Sequence, residues 1–123
     1  MTAVHEAVGF GVVALFAVGW IWGGAAWVRK RPPGERYWRW LSIAQIAALL
    51  QAGLGLVLLA TGRALPTWLH LVYGLGPLLV LGVGHALARD ENFRERPWVP
   101  FSLAAFICFG LALRALMTGL GMA

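Results

Sequence analysis

The chain is poor in charge and almost without groups that cross-link. Of its 123 residues only 12% are Asp, Glu, Lys or Arg, and Cys108 is the single cysteine. One cysteine excludes an intrachain disulfide, a thiolate metal cluster and covalent heme attachment through a C-x-x-C-H motif. A charged fraction this small, beside 60% hydrophobic residues, cannot clothe a soluble domain of this size in polar surface. Carboxylates are scarce, five in all, and none lies deep in an apolar run. That counts against a small proton-coupled exporter, a class that four short spans would otherwise suit.

What the chain has instead is length of apolar sequence. A hydrocarbon core of about 30 Å takes about 20 helical residues, and four runs suffice: Val4 to Val28, Trp38 to Thr61, Pro66 to Ala88 and Trp98 to Gly121. They predict an all-α protein, a single integral-membrane domain over residues 1–123 built as a four-helix transmembrane up-down-up-down bundle. Pro32, Pro33 and the charges around them break the first connection, and Gly62 with Pro66 makes the second a tight turn. The third, Arg89 to Pro97, is polar throughout.

Basic residues set the expected orientation, because they accumulate in short cytoplasmic loops. Arg29, Lys30, Arg31, Arg36 and Arg39 surround the first connection, Arg89, Arg94 and Arg96 the third, and Arg63 stands alone in the second. Both termini are therefore expected outside a cell membrane, with Trp27, Trp38, Trp40 and Trp98 as an inner aromatic belt and Trp68 at the outer face. This topology accounts for the net charge of +5, and no nucleic-acid partner is expected. The first helix lacks a basic n-region and a small-residue cleavage site, so it is expected to be retained.

A pattern recurs 65 positions apart: His5, Gly9, Gly11 and Gly19 return as His70, Gly74, Gly76 and Gly84. The internal two-helix parallel repeat places the first and third helices at diagonal corners about a pseudo-two-fold axis along the membrane normal. Both histidines then approach that axis near the outer face. At 100° per residue, Gly9 and Gly74 fall on the histidine side and leave room for a flat macrocycle. Gly19 and Gly84 lie about 21 Å further in, where they would let the first and third helices close together. Small residues at helix contacts need no ligand, however, and His5 is near enough to the interface to be solvated.

Ionisable residues inside a membrane usually face a site. Two neutral imidazoles are the usual axial pair of a b-type heme, whereas zinc prefers three or four ligands. The expectation is one non-covalent heme b per chain with His5 and His70 as its iron ligands; a two-histidine copper site matches the geometry less well. Arg114, about 11 Å from the outer end of its helix, either meets a heme propionate together with Arg63 or snorkels to the headgroups. Gln51 either orients a ligand imidazole or bonds across helices, as Gln45 is expected to do. Tyr73 is read as an outer-interface residue. His85, about 22 Å inward of His70, has Trp20 as its counterpart and reads as an interfacial histidine beside Arg89.

Three segments together resemble the heme A synthase family: His5-Glu6-Ala7-Val8-Gly9-Phe10, Gln51-Ala52-Gly53-Leu54-Gly55 and Leu65-Pro66-Thr67-Trp68-Leu69-His70-Leu71. The resemblance covers the first three helices and implies one four-helix half of such a protein, with a histidine ligand at the outer end of two helices. The family's catalytic acid position is occupied by Thr2, and the arginine that follows its first histidine is replaced by Glu6. Resemblance therefore implies heme binding without the acid that catalysis uses. The sequence leaves three functions in play. One is a cytochrome or heme carrier in oxidase assembly, exchanging electrons with a quinone or an extracytoplasmic carrier. Another is a homo-oligomeric enzyme of the heme A synthase type, and the third a structural subunit of a larger respiratory or photosynthetic membrane complex.

Overall fold

The computed structural model describes residues 2–62 and 68–120. Four helices account for most of them: α1 (Thr2–Arg29), α2 (Glu35–Ala60), α3 (Trp68–Ala88) and α4 (Trp98–Gly119). Each is long and apolar enough to cross a membrane, so this is a multi-pass membrane protein with an all-α, up-down-up-down bundle. Even α3, the shortest at 21 residues, reaches about 31 Å at 1.5 Å per residue.

Helix ends follow local chemistry. α2 begins three residues before the predicted Trp38, because Gly34 leaves the loop at φ 89° and Glu35 enters the first turn, where a carboxylate suits the helix dipole. Its far end is closed by Gly62 at φ 91°, the left-handed position that glycine adopts without penalty. α1 ends differently. Lys30 takes the left-handed conformation at φ 56°, its N–H bonds the Trp27 carbonyl, and the Arg31 N–H bonds that of Ala26. This is a Schellman closure with lysine where glycine is usual. In the third connection a short 3₁₀ turn (Glu91–Phe93), capped by the Asp90 carboxylate accepting from the Asn92 N–H, precedes α4. The expected start of the third helix at Pro66 lies outside the described residues, as do Arg63 and the last residues of the fourth span.

The four helices are not packed evenly. α1 lies against both α2 and α4, α3 lies against α4, and α2 meets α3 only sparsely. α1 and α3 are therefore diagonal, as the repeat predicts. The inner glycines act otherwise than expected. A Cβ on Gly84 would touch Ala104, and one on Gly19 would touch Leu41, Trp40 and Ala105. They do not bring α1 and α3 onto each other: Gly84 seats α3 on Ala104 of α4, and Gly19 seats α1 chiefly on Leu41 and Trp40 of α2, with Ala105 of α4 beside them.

The core accordingly gathers toward the end that carries the first and third connections. Tyr37 and Leu41 are fully buried there, with Val99, Phe101 and Ala105 around them, and Phe16 and Cys108 are fully buried at mid-bundle. Trp40 turns inward and its indole N–H donates to the Leu15 carbonyl at 2.7 Å, while Trp98 is buried. Trp27 and Trp68 stay exposed, as belt residues do. One further tie crosses the loose α2–α3 seam: His85 Nε2 donates to Gln45 Oε1 at 2.8 Å. The bundle is closed at this end and left open at the other.

Candidate functional site

At the open end His5 and His70 meet. Their ring centroids are 6.0 Å apart and the planes stand at 80°. His5 arrives from the first turns of α1 and His70 from those of α3, equivalent places in two parallel helices, so the repeat brings them to one level.

His70 is held in one tautomer. Its Nδ1 lies 2.9 Å from the Ala115 carbonyl and 3.1 Å from Thr118 Oγ1. A carbonyl oxygen only accepts, so Nδ1 carries the proton and Nε2 of the neutral ring keeps its lone pair. The Thr118 hydroxyl sends its own proton back along α4, to the carbonyls of Arg114 or Ala115 at 3.0 Å each. It therefore serves as a second acceptor for His70. This is the outer-shell arrangement that orients metal-ligating histidines. His5 has no such restraint: its Nδ1 is buried without a hydrogen-bond partner among the described residues.

Each ring rests on a glycine of the helix that follows its own. A Cβ on Gly55 would lie 3.3 Å from His5 Cε1, and one on Gly119 would lie 2.9 Å from His70 Cε1. These contacts are equivalent in the two halves, since Gly55 and Gly119 stand 50 and 49 positions after their histidines. Neither glycine is singled out by the repeat in the first and third helices. The repeat does not extend to them, because at its 65-residue spacing Gly55 falls on Leu120 and Gly119 on Leu54.

A cavity of about 290 Å³ lies beside the histidines, near the lower end of the range of about 300–1,000 Å³ common for small-molecule sites. All four helices contribute, and the unclosed α2–α3 seam forms its flank. Of the residues expected at a cofactor, His5, His70, Gly9, Gly74 and Gln51 all line it. The two glycines are not equivalent, however. Gly74 has no protein atom within 4 Å of where a Cβ would stand, whereas Gly9 is covered by the Gln51 amide, 3.1 Å from that point. Gln51 bonds neither imidazole, and its Oε1 is buried unpartnered; backbone and Thr118 do for His70 what Gln51 was expected to do for a ligand ring. Arg114 is absent from the cavity wall. Its guanidinium stands 5.6 Å from the centre of the Tyr73 ring, and Tyr73, expected only at the interface, does line the cavity.

Glu6 is the one carboxylate in the wall, and it is exposed. Among the described residues no three His, Cys, Asp or Glu side chains gather, so a zinc site made of protein ligands alone is not assembled. His85 is tied to Gln45 at the closed end and packs edge-on against Phe101 at 4.9 Å, far from this cavity. Comparison of the chain with family models, with curated proteins and with solved structures finds no match in any of the three.

Proposed function

We propose that this protein is a membrane b-type heme-binding protein, with one non-covalent heme between His5 and His70, serving electron transfer or the handling of heme in oxidase assembly. One observation carries the reading: two imidazoles from equivalent helices stand 6.0 Å apart, one with its proton committed to a carbonyl and its Nε2 free. Two imidazoles that were to hold one metal ion between them would need to stand about this close. The donor set fits heme, which supplies its own equatorial nitrogens and asks the protein for two axial ones.

The chain's residues have distinct parts in this reading. Ala115 and Thr118 fix the His70 ring by accepting the hydrogen bond that its Nδ1–H donates. Gly74 leaves the wall open for the plane of the macrocycle, and the leucines of α2 and α3 keep water from it. Arg114, behind Tyr73, and Arg63, outside the described residues, are the cations available to propionates. The heme would supply a one-electron couple, and its protein-facing environment would tune it through these contacts. By the distribution of basic residues, the site would face the extracytoplasmic side of a cell membrane, where a quinone or a carrier protein can reach it.

Catalysis of the heme A synthase type is supported less well. Thr2 stands at the acid position and, among the described residues, Glu6 is the only carboxylate lining the cavity, so a homo-oligomer would have to supply what one chain lacks.

The test is an absorption spectrum of the detergent-purified protein from heme-replete cells, oxidised and reduced, beside His5→Ala and His70→Ala. A low-spin heme spectrum lost in both variants is the expected result. A colourless wild-type protein overturns heme binding, and heme that persists in both variants overturns the ligand assignment. Pyridine extraction identifies the heme type, and conversion of one heme into another would establish an enzyme.

A further inference from the structure

We infer that the two histidines have unequal duties: His70 captures heme and keeps it, whereas His5 is a displaceable ligand whose place a small neutral molecule of the carbon monoxide class can take. This rests on the heme reading above and concerns what the chain's own residues do to each imidazole.

The difference begins at Nδ1. Ligation through Nε2 of a neutral imidazole puts the ring's proton on Nδ1. On His70 that proton meets two acceptors, the Ala115 carbonyl at 2.9 Å and Thr118 Oγ1 at 3.1 Å. Thr118 is itself buried and bonded back along α4. On His5 the proton meets no acceptor among the described residues, and because Nδ1 is buried, water does not take the missing place. A buried N–H without an acceptor is a lasting cost, and His5 bears it for as long as it is a ligand. Parallel helices alone would treat the two rings alike. What separates them is the residue before each backing glycine: Thr118 precedes Gly119, and Leu54, which has no hydroxyl, precedes Gly55.

The helices behind the rings differ in the same sense. His70 rests on Gly119 of α4, which packs against both α1 and α3, whereas His5 rests on Gly55 of α2, which packs against α1 and meets α3 only sparsely. A Cβ on Gly119 would stand 2.9 Å from its ring and one on Gly55 3.3 Å from the other, so His70 is also the more tightly seated. The wall selects the incoming molecule by charge. Among the described residues it holds no Lys or Arg, and Glu6 is its carboxylate. An anion would be buried there without a counter-charge, and a neutral molecule would not. His5 gives up one dative bond as the newcomer forms another, with no electron or proton transferred.

The test is spectroscopic. Absorption and resonance Raman spectra of the dithionite-reduced protein in detergent are taken with and without carbon monoxide, and heme is titrated into each apoprotein. The wild type should form a carbon monoxide adduct that matches the adduct of His5→Ala, and His5→Ala alone should hold a high-spin heme. Outer contacts of a ligand are worth roughly 10–100-fold in metal affinity, so His70→Ala should bind heme at least about 10-fold more weakly than His5→Ala. Thr118→Val keeps both imidazoles and decides the matter if His70→Ala does not fold: it should weaken heme binding about 10-fold, and wild-type affinity there would overturn the role given to His70. A colourless wild type overturns this inference together with the heme reading. A low-spin heme inert to carbon monoxide, or equal loss of heme in the two histidine variants, overturns the inequality and leaves the heme reading standing. A wild-type adduct that matches His70→Ala overturns it as well, since His70 would then be the ligand displaced.

Discussion

The glycines behind the two histidines allow the ligand geometry to be perturbed by measured amounts without touching a ligand. In Gly119→Ala the new Cβ would stand 2.9 Å from His70 Cε1, whereas carbon atoms in contact settle at about 3.5–4.0 Å. The ring or the end of α4 must therefore retreat by about 0.6–1 Å. Metal coordination tolerates about 0.2 Å. The displacement is also directed away from α4, which lengthens the bonds from His70 Nδ1 to Ala115 and Thr118, now 2.9 and 3.1 Å. Loss of such outer contacts costs roughly 10–100-fold in metal affinity. Gly55→Ala brings its Cβ to 3.3 Å from His5 Cε1, so its ring need move only by about 0.2–0.7 Å and the loss should be smaller. Gly74→Ala meets no protein atom within 4 Å and should leave both rings where they are. The assay is titration of heme into the apoprotein in detergent, followed by the low-spin absorption band, with thermal unfolding of each apoprotein alongside. The expected order of weakening is Gly119→Ala, then Gly55→Ala, then Gly74→Ala, while Gly74→Phe, which fills the cavity, should exclude heme from a folded protein. Wild-type affinity in Gly119→Ala, in a protein that loses heme on His70→Ala, would refute the geometry argued for the site.

Other consequences concern the frame. Gly23→Ala would drive a methyl group into Ser102 Oγ and to 2.7 Å from the Tyr37 hydroxyl, an overpacking that should cost about 1–3 kcal/mol in detergent unfolding. Adding Ser102→Ala should recover part of it, and strict additivity of the two changes would contradict the contact. Lys30→Gly removes a non-glycine residue from φ 56° and should stabilise lipid-free protein by about 1 kcal/mol; a lower unfolding midpoint would show that the Lys30 side chain earns its strained backbone some other way. A double-mutant cycle on Gln45→Leu and His85→Leu should return a coupling of about 0.6 kcal/mol, the usual size for a polar pair between membrane helices. A coupling near zero would mean that their 2.8 Å bond does not hold the α2–α3 seam.

Much of this protein was determined along the chain itself. Apolar run length dictates four spans, prolines and Gly62 mark where they stop, and the 65-residue repeat puts His5 and His70 at one depth on parallel helices. Depth and rotation are properties of a single helix, set by 1.5 Å and 100° per residue, so they can be counted from sequence. Which surfaces close on one another cannot, because packing depends on the volumes that two distant segments offer each other. Only the tertiary structure decided that Gly84 meets Ala104 of α4, that Gly19 meets Leu41 and Trp40 of α2, and that the α2–α3 seam stays loose. It also decided that Gly55 and Gly119 back the rings, that Gln51 covers Gly9 and not Gly74, and that a carbonyl of α4 fixes the proton of His70. Each of these is a contact between helices, made where one side chain's absence matches another's presence.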